Sequence, residues 1–166
     1  MASEYAFLDE WDVDAPREMV FEALADARTY PDWWRPVYIK VEADGPPEVG
    51  RVSQHEFKGQ LPYHLKTRSE IVRFEPPDEF EVNVVGDLSG RGVWTLSERD
   101  HGRVHIRFDW RVYADRPLLR YLTPILRPVF RWNHNWSVKR AIEGLEPYAR
   151  SSASADAPAA GDVESG

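Results

Sequence analysis

Apolar and polar residues alternate along several separate stretches of the chain, which is the pattern of β-strands that bury one face. The clearest stretch is residues 103–112, where one parity is apolar throughout and the other is charged or polar. The apolar parity consists of Val104, Ile106, Phe108, Trp110 and Val112. His105 lies on the opposite parity, between Arg103 and Arg107, so we assign its side chain to the solvent face.

The same alternation predicts further strands along the chain. The predicted inward rows are Tyr5, Phe7, Trp11 and Val13 in one strand, and Val37, Ile39, Val41 and Ala43 in another. Four less regular runs, at residues 51–58, 63–74, 79–86 and 91–99, are separated by glycine and proline turns of the kind that connect antiparallel neighbours. The pattern therefore predicts a sheet of about seven antiparallel strands, each with one buried face.

Helical periodicity interrupts the strands near the N-terminus. Pro16 precedes an apolar set formed by Val20, Phe21 and Leu24, whose spacing buries one face of a helix. The pattern predicts a short helix directly after the first strand.

A long helix is predicted at the end of the folded part. It is expected to start near Pro128, because Pro124 and Pro128 each lack the amide donor that a helix interior uses. Its wide apolar arc includes three polar residues, Asn133, Ser137 and Arg140. Polar groups on a buried face are costly unless protein, water or a ligand satisfies them.

Length and composition limit the possible classes of protein. A chain of 166 residues has room for one core, and residues 151–166 are mostly small, proline or acidic, so we expect a folded domain at 1–150 and a disordered acidic tail at 151–166. A net charge of −7 argues against non-specific binding to nucleic acid. The lack of cysteine excludes disulfides, thiolate metal sites and thiol nucleophiles. The N-terminus has no basic and apolar leader pattern, and no apolar run approaches the ~20 residues of a membrane span, so we expect a cytoplasmic protein.

The order of the elements and two sequence patterns resemble the START-like superfamily, also called SRPBCC. The likeness is strongest to its polyketide cyclase/dehydrase and lipid-transport branch and covers roughly residues 5–149. The opening pattern is carried by Val13, Ala15, Pro16, Val20, Phe21, Leu24, Asp26, Tyr30, Pro31, Trp33 and Val37. The closing pattern is carried by Phe130, Arg131, Trp132, Asn133, His134, Asn135, Trp136, Gly144 and Leu145.

This resemblance implies an α+β helix-grip fold. In that fold a curved antiparallel sheet of about seven strands wraps around a long C-terminal helix, and two short helices follow the first strand. The space between sheet and helix is a cavity open at one end, which implies a pocket for a small apolar molecule.

Several aromatic and polar residues are candidates for lining such a pocket. The candidate ligand-binding residues are Trp33, Phe57, Tyr63, Trp94, Trp110, Asn133, Trp136 and Ser137. Rigid aromatic rings suit a planar ligand, and the polar groups would orient it. The alternative for each aromatic residue is an ordinary place in the core.

Two residues are candidates for catalysis. His55 shares its strand parity with Ser53 and Phe57, so it is predicted to face inward, where it would act as a general base or hydrogen-bond donor. Arg140 would hold a carboxylate or polarise a carbonyl, with Asp9 as a candidate partner. The alternatives are a satisfied core histidine and a salt-bridged surface arginine.

No pair of histidines has ligand spacing on one predicted face, so we predict no metal site and no cofactor. A basic segment that begins at Arg116 and ends at Arg131 stands out in an acidic chain. This basic segment would make a transient contact with an anionic membrane surface or a protein. Alternatively, it would form ion pairs with acidic residues on the strands of its own fold.

These observations favour one function over two others. The leading hypothesis is binding of a small hydrophobic ligand, such as a lipid, isoprenoid or aromatic polyketide, for transport or sequestration. The alternative is a cofactor-independent polyketide cyclase or dehydratase in which His55 removes a proton and Arg140, Asn133 or Tyr63 stabilises an enolate oxygen. A protein-interaction module that uses the basic segment is a third hypothesis.

Overall fold

The structure is a computed structural model that describes residues 3–58, 64–114 and 117–156, with side chains described for residues 5–58, 64–113 and 127–152. Seven strands form one antiparallel sheet in the order β1-β7-β6-β5-β4-β3-β2. The strands are β1 (Ser3–Val13), β2 (Tyr38–Ala43), β3 (Val52–Lys58), β4 (His64–Glu75), β5 (Glu79–Gly86), β6 (Ser89–Glu98) and β7 (Val104–Ala114). Strands β2 to β7 follow one another as a meander, and β1 pairs with β7.

Three helices complete the fold. They are α1 (Arg17–Ala25), α2 (Tyr30–Trp33) and α3 (Pro117–Asp156). Helices α1 and α2 lie between β1 and β2, and the curved sheet wraps around α3, so the predicted α+β helix-grip architecture is confirmed. None of the helices in the described residues is long and apolar enough to cross a membrane.

The alternation in β7 places its side chains as predicted. Val104, Ile106, Phe108 and Val112 are buried, whereas His105 faces outward and pairs with Asp12 of β1. The antiparallel register aligns Ile106 with Trp11 and Phe108 with Trp94, so three strands contribute to one apolar face. This face and the inner side of α3 form the core.

In the predicted inward row of Val37, Ile39, Val41 and Ala43, Val37 is buried as predicted, and the prediction is wrong at Ile39. A register shift between Tyr38 and Lys40 turns the side chain of Tyr38 into the core and leaves Ile39 42% exposed. An irregularity of this kind reverses the parity of one part of a strand relative to the rest. Val41, beyond the irregularity, pairs with His55 and packs against the core as expected.

Helix α3 extends beyond the predicted limits at both ends. It begins at Pro117, upstream of the predicted start near Pro128, because a proline removes a single donor and need not end a helix. It ends at Asp156, so the predicted domain boundary at residue 150 falls within the helix. Residues 151–156 contain only serine, alanine and aspartate, with no glycine or proline to stop the helix. The rest of the predicted tail lies outside the described residues.

Glycine allows α3 to approach α2 closely. A Cβ atom on Gly144 would lie 1.8 Å from the backbone oxygen of Trp33. No other residue fits this crossing without moving one of the two helices. The contact fixes the position of α3 over the sheet and therefore the width of the space between them.

Candidate functional site

A cavity of about 370 Å³ lies between the inner face of the sheet, α2 and α3. Aromatic rings from all three line it. The aromatic lining residues are Tyr5, Phe7, Tyr30, Trp34, Tyr38, Phe57, Phe80, Trp94, Phe108, Trp110 and Phe130. Pockets that are mainly apolar, with a few convergent polar groups, are typical of small-molecule sites.

One wall of the cavity is a series of stacked rings on β6 and β7. Trp94 and Phe108 stack with centroids 3.9 Å apart and an interplanar angle of 12°, and Phe108 is followed by Trp110 at 5.9 Å and 21°. A Cβ on Gly92 would lie 3.1 Å from both the Phe108 and Trp110 rings, so glycine gives these rings room. The stacked rings turn their faces toward one another, so this wall is a closely packed aromatic row.

His55 lies in a small polar group within the lining. Its Nε2 is 2.6 Å from Ser53 Oγ and 3.2 Å from Ser69 Oγ, and the two hydroxyls are 3.0 Å apart. Burial, and then the positive charge of Arg51, lowers the pKa of His55 to about 4. His55 is therefore neutral near pH 7 and serves as a hydrogen-bonding group.

Arg51 brings a buried positive charge to the same region. Its side chain is 3% exposed, its Nη1 donates to Asp26 Oδ1 at 3.1 Å, and its Nη2 donates to the backbone oxygen of Ala25 at 2.9 Å. Arg28 donates to both carboxylate oxygens of Asp26, at 2.8 and 2.7 Å. Burial alone would raise the pKa of Asp26, but the hydrogen bonds from Arg28 and the charges of both arginines lower it. Two cations share one carboxylate, which leaves a net positive charge beside the cavity.

A second polar group joins β1 to α3. His134 Nε2 is 2.6 Å from Asp9 Oδ2, and the imidazole stacks on Phe7 with centroids 3.9 Å apart. His134 and Phe7 both line the cavity. Asp9, expected as a partner for Arg140, is therefore the partner of His134.

The structure brings six of the predicted site residues into the cavity wall. These are His55, Phe57, Trp94, Trp110, Asn133 and Ser137. Tyr63 lies outside the described residues, and so do the side chains of most of the basic segment that begins at Arg116.

Three predicted site residues do not line the cavity. Trp33 is buried on the far side of α2, where its Nε1 donates to Thr29 Oγ1 at 2.9 Å. Because adjacent side chains point in different directions, Trp34 lines the cavity instead, with its Nε1 donating to the backbone oxygen of Ser137.

The other two predicted site residues that do not line the cavity are Trp136 and Arg140, which pack together on the flank of α3. The Arg140 guanidinium lies 5.4 Å from the centre of the Trp136 ring and donates to Glu143 Oε2 at 3.1 Å. The orientation of α3 directs Asn133, Ser137 and Val138 toward the sheet and rotates Trp136 and Arg140 away. The predicted catalytic role of Arg140 in the cavity is therefore not compatible with its position.

Several residues of the site were not predicted from the sequence, although two of them lie on the same strand or helix face as residues that were predicted. Arg51 has the same strand parity as Ser53 and His55. His134 lies one turn of helix from Val138, on the face that includes Ser137. Tyr38 could not be predicted in this way, because the irregularity in β2 is set by pairing with β3.

A curved sheet that holds a C-terminal helix, with an aromatic-lined cavity between them, defines a helix-grip protein. Residues 8–150 match the family described as polyketide cyclase / dehydrase and lipid transport, and the chain belongs to this family. No curated protein matches the chain. Family and fold together support a hydrophobic ligand-binding or polyketide cyclase-like function.

Solved structures with the same fold are distant in sequence. A protein of unknown function from Staphylococcus aureus is 11% identical with a TM-score of 0.71, and the match covers 92% of this chain and 98% of that one. A norcoclaurine synthase point mutant from Thalictrum flavum, in complex with a transition-state analogue, is 11% identical with a TM-score of 0.63 and the same coverage. The di-domain aromatase/cyclase BexL of the BE-7585A biosynthetic pathway is 17% identical with a TM-score of 0.62, and the match covers 86% of this chain and 50% of that one. At these identities the likeness concerns the fold alone.

Proposed function

We propose that the protein binds a flat, aromatic, polyketide-like molecule in the cavity between sheet and α3, for transport or sequestration. The observation that carries the proposal is the stacked wall of Trp94, Phe108 and Trp110. Aromatic rings gain from edge-to-face contact as well as from offset stacking, so a closely packed aromatic row favours a ring in the ligand, whereas a flexible acyl chain would lose conformational entropy on binding. Among the ligands considered from the sequence, an aromatic compound therefore fits better than a lipid or an isoprenoid.

The polar groups of the lining support a ligand that carries oxygen. His55, with the hydroxyls of Ser53 and Ser69, offers hydrogen bonds to a phenol or a carbonyl. The net positive charge of the Arg51, Asp26 and Arg28 group favours an electron-rich oxygen over a cationic substituent. A ligand with fused rings and a ketone or hydroxyl group matches both features.

Binding is tested by titrating the purified protein with 2-tetralone, a bicyclic ketone with a fused benzene ring, and with palmitate, while tryptophan fluorescence is recorded. Native mass spectrometry gives the stoichiometry. We expect one molecule of 2-tetralone per chain and at least tenfold weaker binding of palmitate. Replacing Trp110 by leucine should weaken 2-tetralone binding about tenfold, since one wall ring is lost.

Trp132 provides a matched control, because it lies on α3 with 52% of its surface exposed and outside the cavity lining. Trp132→Leu should leave 2-tetralone binding unchanged. Equal effects of the two tryptophan substitutions would contradict binding in the cavity. Tight binding of palmitate with none of 2-tetralone would contradict the proposed ligand class.

A cyclase or dehydratase activity is the second candidate, favoured by family membership and by imidazoles in the lining. The low pKa of His55, about 4, makes it a weak base, and its Nε2 is already within hydrogen-bond distance of two serine hydroxyls. His55 therefore fits a role in orienting the ligand better than one in removing its proton. His55→Gln should weaken binding of 2-tetralone, and an unchanged affinity would contradict the orienting role.

A further inference from the structure

We propose that His134, held by Asp9, is a proton-transfer residue, and that the cavity interconverts the keto and enol forms of a bound ketone that is fused to an aromatic ring. This inference rests on the proposed function, because it needs the ketone to occupy the cavity. It assigns the chemistry to a pair of residues that lie 125 positions apart in the chain.

The pair has the geometry of an oriented imidazole. The Nε2 to Oδ2 distance of 2.6 Å is a short, charge-assisted hydrogen bond. A carboxylate only accepts, so Nε2 carries the proton and, in the neutral ring, Nδ1 carries the lone pair. No hydrogen bond to Nδ1 occurs among the described residues, so this nitrogen is available to accept a proton.

Packing holds the ring in place. Phe7 stacks against the imidazole at an interplanar angle of 18°, and the side chains of His134 and Asp9 are only 13% and 18% exposed. A base that is fixed in orientation and largely shielded from water transfers protons without reorganising its surroundings. Asp9 does not line the cavity, so we assign it a positioning role and assign the proton transfer to His134.

The reaction needs no other reactant. Nδ1 of His134 takes a proton from the carbon next to the carbonyl, the C–H electron pair becomes the new C=C bond, and the carbonyl π pair moves to oxygen. The Nδ1 proton of the imidazolium exchanges with solvent water, and the imidazolium then gives a proton to that oxygen to form the enol, or to the carbon to regenerate the ketone. Asn133 and Ser137, on the cavity-lining face of the same helix, offer polar side chains toward the ligand.

The outer face of the sheet provides an internal comparison. His105 Nδ1 lies 2.7 Å from Asp12 Oδ1 and its Nε2 lies 3.3 Å from Glu10 Oε1, so the protein contains a second histidine beside carboxylates, which faces away from the cavity and has both ring nitrogens in contact with an acid. If a histidine–carboxylate pair were sufficient, both would act on a ketone. The proposal requires that only the pair at the cavity does.

The test measures the exchange of the C1 protons of 2-tetralone for deuterium in D₂O by proton NMR, at a saturating concentration set by the fluorescence titration. The wild-type protein should accelerate exchange over buffer alone. His134→Gln, which keeps a donor to Asp9 but lacks the base, should lower the exchange rate at saturating 2-tetralone about a hundredfold. With the His105→Gln variant, the C1 protons of 2-tetralone should exchange at the wild-type rate.

Two further measurements separate a chemical role from a structural one. Added imidazole should restore part of the exchange rate in His134→Ala. Asp9→Asn should lower the exchange rate at saturating 2-tetralone, and Asp9→Glu should recover part of that rate. A merely structural tie between β1 and α3 would give neither rescue.

The outcomes distinguish this inference from the proposed function. Binding of 2-tetralone without accelerated exchange, or exchange that survives in His134→Gln, would overturn the role of His134 and leave ligand binding intact. Failure of 2-tetralone to bind would contradict the proposed function and this inference with it.

Discussion

Acidification should destabilise the protein through His55 in a window that the structure specifies. The pKa of His55 is about 4 in the folded protein, against 6.5 for an ordinary histidine, first because it is buried and second because Arg51 is positively charged. The unfolded chain therefore binds more protons than the folded protein between these values. The contribution of His55 is complete above pH 6.5 and is lost as the pH falls from 6.5 through 4.

The size of the effect follows from the two pKa values. Each unit of difference between the folded and unfolded pKa corresponds to about 1.36 kcal/mol. On account of His55 alone, the free energy of unfolding should therefore fall by about 2.5 kcal/mol between pH 7.5 and 4.5. About half of this loss should be complete at pH 5.5. Other groups add their own pH dependence, so the quantity to measure is the difference between two proteins.

Urea unfolding followed by circular dichroism at pH 7.5, 5.5 and 4.5 makes this comparison between the wild type and His55→Gln. Glutamine can accept hydrogen bonds from Ser53 and Ser69 but does not titrate. We expect the variant to lose about 2.5 kcal/mol less than the wild type over this range. His101→Asn, at an exposed turn position with φ 64°, is the control and should follow the wild type. The same loss of stability in wild type and His55→Gln would refute the reasoning.

Two further predictions concern stability and are checked by the same urea titrations at pH 7.5. Asp26→Asn should cost about 3–5 kcal/mol, because it leaves the charge of Arg51, which is 3% exposed, without its carboxylate. Asp14→Asn, at an exposed pair with Arg150, should cost at most about 1 kcal/mol, and similar costs for the two would contradict the importance of burial. Gly144→Ala should destabilise by about 2 kcal/mol, although alanine in a helix normally gains about 1 kcal/mol over glycine, because the new Cβ would lie 1.8 Å from the Trp33 oxygen. Ser151→Ala, at an exposed position in the same helix, should change stability by less than about 0.5 kcal/mol, and a stabilising Gly144→Ala would show that α2 and α3 are not in close contact.

The fold could be predicted from the sequence because its signals are local. The alternation at residues 104–112 fixes which side of β7 is buried, and it would do so in any antiparallel sheet. The apolar spacing of Val20, Phe21 and Leu24 likewise requires a helix that buries one face, and α1 buries all three. The resemblance of the opening and closing patterns then supplied the arrangement of these elements, which the structure confirms.

The residues that line the cavity could be predicted only on elements where the regular alternation of inward and outward side chains is unbroken. His55 lies on a regular strand, and its parity with Ser53 placed it in the cavity lining. In β2 the period is broken by pairing with β3, so Tyr38 faces inward and Ile39 outward. On α3 the sequence defines a wide apolar arc, but contact with α2 and the sheet decides which part of that arc faces the cavity.

The pairs that give the cavity its chemistry were decided by tertiary structure alone. Asp9 and His134 belong to the first strand and the last helix, and Asp26 and Arg51 belong to a helix end and a strand start. The number of residues between the two partners predicts contact in neither pair. The partners meet only because of how the sheet curves around α3. The amino-acid sequence was sufficient to identify the apolar faces of the strands and helices, because burial follows a local period. Which polar groups meet in the cavity depends on the packing of elements that are distant in the chain.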